Sequence, residues 1–139
     1  MRIALIVFPS NRKTEESGFP PWAVSLARGM ESMGHRADLV NGYGGDMRSL
    51  PGYDYLALIA EPLSFLSGKI PGAARTVFSS SGGLGRKKGA AFIKKKGLFS
   101  PRALSRLMAL MEKEGIIVNW SDLILGSAQA EALGKRIGA

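Results

Sequence analysis

The sequence predicts a three-layer α/β/α doubly wound sandwich around a five-stranded parallel sheet in the order 2-1-3-4-5. Three observations predict it. Apolar, β-branched runs alternate with amphipathic helical stripes from one end of the chain to the other. The links between them are short, which favours right-handed crossovers between parallel strands. The chain has 139 residues, 45% of them hydrophobic and 22% charged, which suits one domain over residues 1–139 with a single layered core.

The elements follow in order. Arg2 to Phe8, RIALIVF, is a continuous apolar run, as expected of a strand covered on both faces. The polar stretch PSNRKTEESGFP separates it from a helix over Pro21 to Met33. There Trp22, Ala23, Leu26, Ala27, Met30 and Met33 form one stripe, Pro21 suits the first turn and Gly34 the stop. Ala37 to Gly42 is a short strand, and Gly42, Gly44, Gly45, Pro51 and Gly52 mark a loop with room for a helical turn. Tyr53 to Ala60 is the next strong strand, leaving through the loop EPLSFLSGKIPG, and Ala73 to Ser80 is a weak helix. Gly89 to Lys94 is a strand entered from the basic run Arg86, Lys87 and Lys88. Ser100 reads as an N-cap with Pro101 first in a helix to Glu114, whose apolar face holds Leu104, Leu107, Met108 and Met111, and Gly115 ends it. Ile116 to Trp120 is the last strand, and a final helix from Ser127 turns Leu133 and Ile137 inward. The methionines at 30, 33, 108 and 111 read as core.

In such a sheet, ligands bind beyond the carboxyl ends of the strands, at the switch point between strands 1 and 3. The polar stretch after Phe8 and the loop after Ala60 both leave the sheet there.

The charge and the rare residue types narrow the chemistry. Nineteen Lys and Arg against 11 Asp and Glu give +8, which favours anionic partners: nucleotides, nucleic acid, acidic proteins or anionic lipid. The plain alternative is a basic surface that only aids solubility. The absence of Cys removes disulfides, Cys–metal sites and a Cys nucleophile, and with it a low-molecular-weight phosphatase. The single histidine, His35, follows a helix stop and reads as exposed rather than catalytic; no zinc cluster and no Ser-His-Asp set can be assembled. Strand 1 ends Phe8-Pro9-Ser10, without the clustered acids a phosphate-accepting receiver needs for Mg²⁺. SSSGGLG, Ser79 to Gly85, lacks the lysine spacing of a P-loop and precedes a strand, so it reads as a connection. Ile3 to Phe8 is short for a signal peptide, and no run nears the roughly 18 apolar residues of a membrane span. The expectation is a cytoplasmic protein without membrane attachment.

YDYLALIAEPLSFLSGKIP, LGRKKGAAFI and MEKEGIIV together resemble the flavodoxin family across nearly the whole chain. Flavodoxin-like proteins carry a tyrosine-aspartate pair before strand 3, then a proline loop with an aromatic, a glycine and often isoleucine-proline. The resemblance implies flavin mononucleotide (FMN) held by the loops after strands 1, 3 and 4, and redox or electron-transfer chemistry. Carried onto this chain, Ser10, Asn11, Arg12, Lys13, Thr14, Ser17 and Gly18 would face the phosphate. Pro62, Leu63, Ser64, Phe65, Ser67 and Gly68 would line one side of the isoalloxazine, and Lys96, Gly97 and Phe99 the other. Lys94 to Lys96 would favour the reduced anion. The first loop departs from the family's compact hydroxyl-rich turn: it holds Glu15 and Glu16, and Pro20 and Pro21 remove two N–H donors where phosphate donors are wanted. Family electron carriers are usually acidic, whereas this chain is basic.

Phe65 and Phe99 also read as loop residues packed on their own scaffold, Phe99 as a hydrophobic staple. Two functions therefore stand side by side. One is an FMN-binding redox protein, with an acidic redox partner. The other is a flavin-free module engaging an acidic protein or nucleic acid through Arg86–Lys88 and Lys94–Lys96, runs at opposite ends of strand 4. For nucleic acid, only Phe92 and Phe99 interleave with the charge.

Overall fold

The computed structural model describes residues 1–9, 18–44, 47–62 and 84–137. Its elements are β1 (Arg2–Phe8), α1 (Pro21–Ser32), β2 (Arg36–Asn41), a 3₁₀ segment (Met47–Gly52), β3 (Tyr55–Ala60), β4 (Lys88–Lys94), α2 (Ser100–Lys113), β5 (Ile117–Ile124) and α3 (Ser127–Gly134). The sheet runs β2-β1-β3-β4-β5 with every neighbouring pair parallel, as the alternation of elements predicts. The expected helix over Ala73 to Ser80 lies outside the described residues.

Strand periodicity divides the central strands between two cores. Ala4, Ile6 and Phe8 of β1, Leu56 and Leu58 of β3, and Ala91 and Ile93 of β4 meet Ala103, Leu107 and Met111 of α2. The alternate residues Ile3, Leu5 and Val7, then Tyr55, Ala57 and Ile59, then Ala90 and Phe92, meet Trp22, Leu26 and Met30 of α1 and Ala130 and Leu133 of α3. Helices on both faces explain why these strands are apolar throughout. On the second face α1 and α3 cross at backbone contact. A Cβ on Gly29 would lie 2.1 Å from the Glu131 carbonyl oxygen, and one on Gly134 would lie 2.2 Å from that of Leu26.

Local details depart from the sequence reading. Ser100 does not cap α2; it is the first helical residue, and its buried hydroxyl turns back to the preceding loop. Pro101 fits the second position equally well, so a Ser-Pro pair alone does not distinguish the two placements. Met33 is 52% exposed, because α1 stops at Ser32 and Gly34 takes φ +88°. His35, expected exposed, is partly buried with Nδ1 3.1 Å from the N-terminal nitrogen. β5 runs on to Ile124, past the expected end at Trp120.

The length of β5 follows from an irregularity. Gly89 pairs with Val118 and Ala90 with Trp120, so Asn119 is an extra, bulged residue. The bulge resets the alternation. Val118 and Leu123 pack toward α2, and Trp120 packs toward α1 and α3. Asn119 Oδ1 accepts the hydroxyl of Tyr55.

Burial pushes the Tyr55 pKa well above its ordinary value. Tyr53, whose hydroxyl donates to Asp38 Oδ2 at 2.8 Å, is raised too, by burial first and then by the Asp38 hydrogen bond and charge. Folding therefore favours the neutral phenols. Their contribution to stability is complete below the unfolded value of about 10 and is lost as pH rises above it. In an alkaline titration followed by phenolate absorbance, these two tyrosines are expected to ionise late, in step with unfolding. Three tyrosines ionising together near the ordinary value would contradict this.

Candidate functional site

Phe8, Ala60, Ile93 and Leu123 lie in one row across the sheet, so the chain leaves β1, β3, β4 and β5 side by side. Just past the row, the Glu61 N–H donates to the Phe8 carbonyl at 3.0 Å, and the Lys95 N–H donates to the Ile124 carbonyl at 2.9 Å. β1 sits between β2 and β3, so the connection from β1 runs to one side and that from β3 to the other. The switch point expected from the sequence is therefore present at the carboxyl ends of β1 and β3.

Of the residues singled out in the sequence, the structure describes Gly18, Pro62, Lys96, Gly97 and Phe99, all in connections at this edge. Gly18 takes φ +92° ahead of α1, with open space where a Cβ would be. Pro62 is buried two residues past β3. Lys96, Gly97 and Phe99 form the turn into α2. There Ser100 Oγ accepts the Lys96 N–H at 2.8 Å and lies 3.1 Å from the Lys96 carbonyl, to which its hydroxyl donates. Gly97 takes φ +74°, which favours glycine. Phe99 is partly buried, with the Arg102 guanidinium 5.4 Å from its ring centre. Ser10, Asn11, Arg12, Lys13, Thr14, Ser17, Leu63, Ser64, Phe65, Ser67 and Gly68 lie outside the described residues.

Two features at the edge were not anticipated from sequence. The Tyr43 hydroxyl donates to the Pro9 carbonyl, and its ring meets that of Phe8 edge-on, centroids 6.1 Å apart at 88°. Gly42 allows this fit, since a Cβ there would lie 2.2 Å from Phe8 Cε1. NGYGG reads only as a glycine-rich turn, and the aromatic within it was the available signal. Gln129 of α3 clamps the exit of β5, accepting the Leu125 N–H and donating to the Leu123 carbonyl, each at 2.9 Å.

The fold as a whole matches solved flavodoxins. An archaeal flavodoxin superimposes with a TM-score of 0.70 at 16% identity, covering 99% of this chain and 96% of that one. The chain has the flavodoxin-like fold. Oxidised flavodoxin 2 from Bacillus cereus gives 0.68 at 16% identity over 94% of both chains. Two-electron reduced Megasphaera elsdenii flavodoxin gives 0.66 at 15% identity over 95% of this chain and 96% of that one. No protein-family profile and no curated protein matches the chain.

Within this flavodoxin-like frame, Phe99 and Gly97 lie in the turn that leaves β4 and Pro62 in the one that leaves β3. Phe99 supplies an aromatic face, Gly97 a backbone turn and Pro62 an apolar neighbour on the adjoining exit. The start of α1 suits a phosphate less well. Pro20 and Pro21 carry no N–H, and those of Ala23 and Val24 both go to the Pro20 carbonyl, at 3.0 and 3.2 Å. The helix start thus lends few of the donors that make such an end an anion site, and a phosphate grip would rest on residues 10–18. Among the described residues no three His, Cys, Asp or Glu side chains gather as a metal site, and no helix is long and apolar enough to cross a membrane.

Proposed function

We propose that the chain binds flavin mononucleotide at the carboxyl edge of β1, β3 and β4 and works as a redox protein with an acidic partner. The observation that carries this reading is the shared switch point: the exits of β1 and β3 are joined by the Glu61–Phe8 hydrogen bond, beside the Phe99 turn after β4. Bound there, the flavin supplies one- or two-electron chemistry. The chain's own residues have simpler tasks. Phe99, with Phe65 from the β3 exit, walls the ring. Pro62 and Gly97 set the spacing of the two exits, and Lys96 adds positive charge near the ring. Ser10, Arg12, Lys13 and Thr14 hold the phosphate in place of the donors that Pro20 and Pro21 lack.

FMN titration tests the reading. Quenching of flavin fluorescence at micromolar protein is expected, and Phe65→Ala and Phe99→Ala should each weaken binding about tenfold. Absence of quenching would overturn it.

The donor-poor start of α1 favours a second reading, a flavin-free binding module of the same fold. It predicts no flavin affinity together with retained binding of an acidic partner.

A further inference from the structure

Two leucines at the carboxyl edge are left in the open by turns that are themselves tied down. Leu98, in the turn after β4, is 87% exposed, and Leu125, the first residue past β5, is 58% exposed. The Leu98 turn is closed by the buried Ser100 hydroxyl on Lys96, and the Leu125 backbone is held by Gln129. The Lys95 N–H to Ile124 carbonyl bond ties one turn to the other. Both apolar side chains therefore stand on pinned backbone, where docking them costs little further ordering.

Their surroundings are basic. Residues 94–111 contain Lys94, Lys95, Lys96, Arg102 and Arg106 and no Asp or Glu. Lys95, Arg102 and Arg106 are exposed, and the two arginines are four residues apart on α2, on one face. The nearest acids along the neighbouring strands are Glu61, just past β3, and Asp122, partly buried with Oδ1 accepting the Leu123 N–H.

We infer that Leu98 and Leu125, together with the exposed Lys95, Arg102 and Arg106, form a docking surface for an acidic electron-transfer protein. This rests on the redox reading above and names the partner's face. An apolar centre with a charged rim is the anatomy of a small protein–protein interface, and redox encounters sit at the small, salt-sensitive end of the range. Leu98 shares its turn with Lys96, Gly97 and Phe99, so a partner seated on it lies beside the flavin ring. Nucleic acid fits less well. The exposed centre offers leucines rather than stacking aromatics.

The test uses flavin-free protein, so that docking is scored separately from FMN binding. A plant-type [2Fe–2S] ferredoxin serves as the acidic probe. Cytochrome c, single-stranded DNA and phosphatidylserine vesicles serve as controls. The expected result is saturable ferredoxin binding that weakens with salt, with amide shifts centred on Lys95, Leu98, Arg102 and Leu125. The triple variant Lys95→Glu/Arg102→Glu/Arg106→Glu should bind at least about tenfold more weakly. Leu98→Ser/Leu125→Ser should weaken binding by a similar factor without changing the salt dependence. All these positions are exposed, and a preserved amide spectrum checks the fold. No ferredoxin binding, equal affinity for cytochrome c, shifts centred elsewhere, or variants that lose only vesicle or DNA binding would each overturn the inference. A failed FMN titration with ferredoxin binding intact would instead remove the flavin reading and leave the surface.

Discussion

Gly134→Val is expected to lower the unfolding free energy by about 3 kcal/mol or more, at the upper end of overpacking effects. The reason is the nature of the obstacle. The added carbon would meet the Leu26 carbonyl oxygen at 2.2 Å and the Met30 nitrogen at 2.9 Å. These are backbone atoms of α1, so no rotamer change relieves the clash, and one helix must lift off the other. Lifting α3 also uncovers Ala130 and Leu133. With stabilities commonly about 5–15 kcal/mol, this is a large share of the total. Gly126→Ala is the control, since a Cβ there has nothing within 4 Å. Urea unfolding of the two variants against the parent measures the difference, and equal midpoints would mean that the helix crossing is not tightly packed.

Phe8→Ala should cost about 3–5 kcal/mol, as for other buried aromatics cut to alanine. Phe8 is fully buried at the last position of β1, packs in the core under α2 and gives Tyr43 its edge-on neighbour. Its loss opens a cavity beneath the switch point and loosens the Tyr43 clasp on Pro9, so under the proposed function FMN binding should weaken along with stability. Gly42 offers a sharper check. Gly42→Ala pushes a carbon into the Phe8 ring, so Phe8→Leu/Gly42→Ala should cost less than the two single changes summed. Strict additivity would show that the ring and the glycine do not fit each other as described.

The architecture was legible because it rests on long, repeated signals. The apolar runs of β1, β3 and β4 and the stripes of α1 and α2 each extend over several residues, their alternation gives parallel strands, and the order 2-1-3-4-5 is the common arrangement for such a chain. What escaped was decided by single residues in three dimensions. The placement of Ser100 depends on a hydroxyl bonding backward to Lys96. Met33 fits the periodic stripe but falls where the helix has ended. The extension of β5 hides behind Asn119, because one inserted residue breaks the two-residue rhythm by which strands are recognised. At the site, Lys96, Gly97 and Phe99 were named through the resemblance to flavodoxins, and they stand in the turn after β4, whereas the Tyr43 clasp joins residues far apart in sequence. The donor-poor start of α1 rests on Pro20 and Pro21, visible in the sequence, and on the capture of Ala23 and Val24 by one carbonyl, which was not.

The bulge at Asn119 has a consequence for the molecule's behaviour in a crowded solution. β5 is one rim of the sheet and β2 the other. A straight rim is a template on which another chain can add a strand, the first step toward fibrous association. Asn119 throws the β5 rim out of step near its start, and the β2 rim carries the charged pair Arg36 and Asp38. Neither rim offers an even, uncharged row of donors and acceptors, so the sheet is protected against growing from either side.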